Sequence, residues 1–161
     1  MSVWRLEIKR GRGDDVMQEV LRDAAAKGAE VLVLDGRNVF GTEHIASATF
    51  HARKAIREGR NASDSLAMET LLYAAGERQL STAIDKMSVT EDTTEMVIAC
   101  LTDHALSAKE GWVPYTATSA STETEKLKNY GIADEELETV LPERRYDLIL
   151  ERVATVDLIK K

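Results

Sequence analysis

The chain has 161 residues, 43% of them hydrophobic and 30% charged, the proportions of one soluble globular domain rather than a disordered or membrane-spanning chain. Its net charge of −7 argues against nucleic-acid binding through the whole surface and leaves room only for a local basic site. Aromatic residues, at 5%, are too few for a broad base-stacking platform, and one cysteine cannot form an internal disulfide or a cysteine-rich zinc site.

Residues 3–9 alternate apolar and polar positions, with Trp4, Leu6 and Ile8 on one face, and predict a half-buried strand. Gly11 and Gly13 break it, and Gly11-Arg12-Gly13 lacks the third glycine of a dinucleotide loop. Asp14 is suited to cap a helix over 15–27 that turns Val16, Met17, Val20, Leu21 and Ala24 inward, with Gly28 after it. The continuous apolar run from Ala29 to Leu34 predicts a central strand. Asp35-Gly36-Arg37-Asn38 then turns the chain.

From Gly41 to Val89 three helical patterns follow one another with short connections. The first carries Ile45, Ala48, Thr49, Ala52, Ala55 and Ile56 on an apolar face, with Thr42 suited to cap it and Gly59 to stop it. The second buries Leu66, Ala67, Leu71, Leu72 and Ala75, with Ser63 as the expected cap and Gly76 as the stop. The third turns Leu80, Ala83, Ile84 and Met87 to one side. On the polar side of the first helix lie His44, Ser47, His51, Lys54 and Glu58. Arg53, Lys54, Arg57 and Arg60 form a compact basic cluster there, with Glu58 the one acid inside it. Such a row reads either as an ordinary solvated helix face or as a local anion-binding site.

Residues 95–102 predict a second buried strand, and Cys100 within it reads as a buried, inert thiol. Pro114 confines Trp112-Val113-Pro114-Tyr115 to a sheet edge or a loop. A charged helix over 122–130 ends at Gly131, a short turn starts at Asp134, and Pro142 opens a last helix to about residue 158. Tyr146, Ile149, Leu150, Val153, Val156 and Leu158 supply its apolar side. The sum is a single mixed α/β domain over 1–161, with a small three- to four-stranded sheet covered by several helices.

Catalytic signals are sparse. His44 and His51 stand two helical turns apart rather than one, without an accompanying acid, and His104 lies in a stretch of unassigned structure. No nucleophile elbow or phosphate loop occurs, and the acids of 134–138 read as a solvated surface. The expectation is a non-enzyme without metal, nucleotide or other cofactor. No signal peptide is evident and no apolar run approaches the ~20 residues of a membrane span. A cytoplasmic chain with no membrane partner is therefore expected, and the sequon at Asn61-Ala62-Ser63 carries no weight.

Several pieces of the central stretch resemble one known family. They are His44-Ile45, Arg60-Asn61, Ser65-Leu66, Met68-Glu69, Leu71-Leu72-Tyr73-Ala74 and Gly76-Glu77-Arg78-Gln79-Leu80. Together with Leu148-Ile149-Leu150-Glu151-Arg152-Val153-Ala154, they are similar to archaeal Cgi121, a subunit of the KEOPS complex. The resemblance is weakest over residues 103–140. It implies a non-catalytic regulatory subunit that binds the kinase-like ATPase Bud32 and meets other KEOPS subunits through it. It also implies a role in tRNA processing, with the subunit holding the 3′ CCA end while the complex installs threonylcarbamoyl on adenosine 37 (t6A). On that reading Arg53, Lys54, Arg57 and Arg60 are the candidate RNA-binding residues, with Arg78 and Lys86 as neighbours, and the kinase-binding surface is unassigned. An interaction module without an RNA role, or an uncharacterised enzyme, is the alternative.

Overall fold

A computed structural model of the protein describes residues 1–103 and 106–160. Strands β1 (Ser2–Glu7), β2 (Val31–Asp35), β3 (Glu95–Cys100) and β4 (Val113–Pro114) form one antiparallel sheet in the order β2-β3-β1-β4. Among the described residues the helices are α1 (Gly13–Ala26), α2 (Thr42–Arg57), α3 (Leu66–Ala75), α4 (Leu80–Met87), α5 (Ala120–Tyr130), α6 (Asp134–Glu138) and α7 (Tyr146–Ile159). Short 3-10 turns occupy Gly36–Asn38 and Pro142–Arg144. The α/β class and the small helix-covered sheet agree with the hydropathy pattern.

Side chains alternate across the sheet, so each strand feeds two cores. Val3, Leu32, Leu34, Val97 and Ala99 join the core made with α2, α3, α4 and α7. Trp4, Val31, Val33, Met96, Ile98 and Cys100 meet Val20 and Ala24 of α1 on the opposite face. Burial of both faces is why residues 31–34 and 96–101 are continuously apolar. β1 departs from its expected half-burial, because Val3 and Trp4 are both buried on opposite faces. A third cluster packs Leu127 and Tyr130 of α5, Leu137 of α6 and Leu148 and Ile149 of α7 around Phe40.

β2 is an edge strand, not the central one that its sequence suggests. An apolar run reports helices above and below a strand, but not strands to its left and right. β4 lies on the opposite edge, as Pro114 requires. Tyr115 N–H donates to the Val3 carbonyl (2.9 Å), so Val3 and Tyr115 form a hydrogen-bonded pair. Pro114, opposite Trp4, falls at the alternate position, where an N–H would point away from β1.

Several helix ends differ from expectation. α1 starts at Gly13, so Asp14 and Asp15 lie in its first turn, where they favour the helix dipole, rather than capping it. Gly41, not Thr42, is the N-cap of α2; its φ of 137° is open to glycine, and a Cβ there would sit 2.2 Å from the Thr116 carbonyl oxygen. The Thr42 hydroxyl instead donates to the Tyr115 carbonyl. Ser65 rather than Ser63 caps α3, accepting from Met68 N–H at 3.0 Å. Gly76 closes α3 in the left-handed conformation, as predicted. Pro142 opens the 3-10 turn, and α7 begins only at Tyr146.

Three apolar residues assigned inward are exposed: Leu21, Ile56 and Leu158. Leu158 is two positions beyond buried Val156, about 200° round the helix. Ile56 sits one position off the buried stripe that ends at Ala55. Leu21 likewise follows buried Val20 and faces a groove described below.

Candidate interaction surfaces

The N-terminal end of α2 is tied into the interior by His44. Its ring is fully buried, accepts at Nδ1 from Phe40 N–H (3.1 Å) and donates from Nε2 to the Ala74 carbonyl (2.8 Å). These partners require the neutral tautomer with the proton on Nε2. Burial lowers the His44 pKa to about 4, against the Ala74 hydrogen bond, which raises it. Helical spacing puts His44 on the polar side of α2. The structure corrects this, because α5 and α7 cover that side here, and Tyr146 Oη accepts from His44 N–H at 2.9 Å.

His44 is one of three side chains that satisfy the end of α3. A helix leaves its last carbonyls without intrahelical partners. Here Ala74 O also accepts from Tyr130 Oη (2.7 Å), and Ala75 O accepts from Lys86 Nζ (2.7 Å). Leu72 O and Tyr73 O accept from Glu77 and Gly76 N–H. Lys86 lies 3.6 Å over the Tyr130 ring and 3.5 Å from Glu77 Oε1. Burial lowers its pKa, opposed by Glu77.

The start of α3 is held by a buried pair. Glu69 is fully buried; its Oε1 accepts from Ala62 and Ser63 N–H, each at 2.9 Å, and its Oε2 accepts from Lys160 Nζ at 2.5 Å. Lys160 also donates to Tyr73 Oη (3.1 Å). Asp157 of α7 accepts from Tyr73 Oη, from His51 Nδ1 (3.1 Å) and from Arg60 Nη1 (3.1 Å). Burial acts to raise the Asp157 pKa, but hydrogen bonds from Tyr73, Arg60 and His51 outweigh it and hold the carboxylate below its ordinary value.

The predicted basic cluster keeps its four members together, and its two expected neighbours lie elsewhere. Arg53, Lys54, Arg57 and Arg60 gather at the C-terminal end of α2. Arg53 Nη2 donates to the Leu101 carbonyl, and Arg60 pairs with Glu58 (2.6 Å) and Asp157. Arg57 is exposed and Lys54 half-buried; neither side chain makes a hydrogen bond or close ion pair among the described residues, though both attract the nearby Glu58 carboxylate. Arg78 and Lys86 lie instead past the end of α3, beside the His44 end of α2 and about 20 Å along that helix from Arg57. Phe50, which sequence reasoning passed over because aromatics are scarce, is 63% exposed. It shares a face with Arg53, Lys54 and Arg57 at i, i+3, i+4 and i+7 spacing.

A second surface is an apolar groove of about 360 Å³. Its floor is residues 31–34 of β2; Met17 and Leu21 of α1 form one wall, and Met68, Leu71 and Ile84 of α3 and α4 form the other. No polar side chain that could orient a reaction lines it except Ser65 and Ser88. Among the described residues no group of three His, Cys, Asp or Glu side chains could hold a metal ion, and no helix is long and apolar enough to cross a membrane. His104 lies outside the described residues. The geometry therefore offers surfaces for binding: one end of a helix that is basic, and one strand edge that is apolar.

A family model described as kinase binding protein CGI-121 matches residues 14–157 of this chain. A comparison with curated proteins found no match.

Proposed function

This chain belongs to the CGI-121 family of kinase-binding proteins, and on that premise we propose that it is a non-catalytic subunit that docks a kinase-like ATPase of the Bud32 type. Through that kinase it joins the other subunits of a KEOPS assembly, which forms t6A at position 37 of tRNA. The observation that carries the reading is the match over residues 14–157, which spans both surfaces. The chemistry belongs to other subunits, and this chain works by holding substrate and partner.

The basic end of α2 is the surface suited to the tRNA acceptor end. Arg53 and Lys54 are adjacent on one turn and Arg57 lies on the next, with Arg60 just beyond, so their charges can meet successive phosphates of a single strand. Phe50 beside them provides one apolar ring on which an unstacked base can lie. This answers the scarcity of aromatics with a single well-placed one. The contribution of Arg78 and Lys86 is secondary in this proposal, because Lys86 Nζ is occupied by Ala75 O and Glu77.

Kinase docking without an RNA role is the second reading. One observation favours it: Arg53 and Arg60 already have internal partners, so two of the four cations in the cluster are partly neutralised or held. Two measurements on purified components separate the readings. Co-elution with the kinase at micromolar concentration supports docking, and separate elution removes it. Titration with tRNA, whole and lacking CCA, at several salt concentrations tests the RNA role. Weaker binding of the truncated tRNA supports it, and equal binding returns the cluster to an ordinary solvated face.

A further inference from the structure

The free edge of β2 has hydrogen-bonding capacity that the fold does not use. Leu101 N–H donates to Glu30 O (2.9 Å), and β2 pairs with β3 so that Val31 faces Cys100 and Leu34 faces Val97. In an antiparallel ladder, bonded and non-bonded pairs alternate. Glu30, Leu32 and Leu34 therefore direct their backbone groups toward β3, whereas Val31 and Val33 direct N–H and C=O away from it. Among the described residues nothing on the outer side bonds to these four groups. Unpaired backbone groups of this kind are a template for an added strand.

The edge is also recessed. It is the floor of the groove, with Met17 and Leu21 rising on one side and Met68, Leu71 and Ile84 on the other. A second copy of this chain has the same strand at the bottom of the same groove, so two β2 edges cannot reach one another. A single extended segment can. Its own N–H and C=O groups would pair with Val31 and Val33, and its side chains would alternate between the α1 wall and the α3–α4 wall. The walls are apolar, so the segment must carry apolar residues toward both.

We propose that the free edge of β2 in this groove receives an extended, apolar segment of the kinase partner as a fifth strand. The proposal rests on the kinase-binding reading and adds to it the surface and the mode of recognition. Backbone pairing supplies hydrogen bonds independent of sequence, and the two walls select for apolar side chains.

The test is residue-resolved amide hydrogen exchange on the full chain, alone and in complex with its Bud32-type kinase. The free protein should show slow exchange at Leu32 and Leu34 and faster exchange at Val31 and Val33. In the complex Val31 and Val33 should slow at least tenfold, while Leu32 and Leu34 change little. The kinase binding with no change at Val31 and Val33, or with all four amides slowing alike, would overturn strand addition and leave kinase binding intact. No kinase binding at all would overturn both. Protection of Val31 and Val33 in the free protein that grows with its concentration would identify a second copy as the occupant and overturn the proposal too. Val33→Pro removes an outward N–H that β3 does not use, and should weaken kinase binding at least tenfold with the circular dichroism spectrum retained. Leu21→Asp places a charge on an exposed wall position and gives the same reading should the proline variant fold poorly. Wild-type kinase affinity in folded Leu21→Asp would exclude the groove.

Discussion

The two ends of α2 lie on one helix and treat their polar residues in opposite ways. At the N-terminal end His44 is neutral, enclosed and bonded on both ring nitrogens. At the C-terminal end Arg57 is exposed and its side chain makes no hydrogen bond or close ion pair among the described residues, and Lys54 makes none either. His44 and His51 are even two turns apart on the same face, yet the first is core and the second reaches out to Asp157. The difference comes from what stands over each end: α5, α7 and the end of α3 close over His44, whereas residues 57–60 at the other end are exposed. A polar side chain's chemistry is set by its covering, and helical spacing does not report that covering.

The strongest way to break the contrast is to replace His44. His44→Ala leaves a cavity and an unpaired Phe40 N–H, and should cost about 3–5 kcal/mol by urea unfolding. Arg57→Ala at the other end should stay within about 0.5 kcal/mol. Equal effects at the two ends would remove the distinction.

Acid sharpens the same contrast. His44 has a folded pKa lowered from 6.5 to about 4. Above pH 6.5 both states are neutral and the shift has no effect. As pH falls from 6.5 toward 4 the unfolded chain takes up a proton that the fold refuses, so stability drops, by about 3 kcal/mol in all as an order of magnitude. Protonation of Asp157, whose folded pKa lies below its ordinary value, adds a further loss at lower pH. His44→Gln should flatten the slope between pH 6.5 and 4 specifically. A slope that persists in that variant would assign the acid sensitivity elsewhere.

At the basic end the expected effect is on binding. Arg57→Glu with Arg60→Glu should weaken tRNA binding and flatten the log–log salt dependence by about 1.4, since each single-strand phosphate contact contributes about 0.7. Circular dichroism should be unchanged. Unaltered affinity and slope would detach the cluster from RNA. A small effect is also expected for Arg60→Ala, whose ion pairs with Glu58 and Asp157 are partly exposed and should leave the thermal midpoint nearly unchanged. A drop in the midpoint as large as that of His44→Ala would make Arg60 as structural as His44.

The basic cluster was legible because four cations within eight residues stand out in an acidic chain. The place of its expected neighbours was not: nothing local to Lys86 announces that its ammonium meets a carbonyl eleven residues earlier and the ring of Tyr130. Phe50 was hidden for a different reason: an aromatic content of 5% argues against a stacking platform, and composition does not show where a lone ring stands. The groove was invisible, because Met17, residues 31–34, Met68 and Ile84 come from four separate elements.

The sequence by itself determined the inventory. Periodicity marked the long helices, the apolar runs marked β2 and β3, Gly76 and Gly131 marked their helix ends, and Pro114 confined its strand to an edge. These are local consequences of backbone geometry and of which side of an element meets the core. The tertiary structure alone decided that β2 is an edge, that both faces of β1 are covered, and that His44, Glu69 and Lys160 are interior. Strand neighbours and buried ion pairs join residues far apart in the chain, so the free energy that selects them comes from long-range packing, and no window of neighbouring residues contains it.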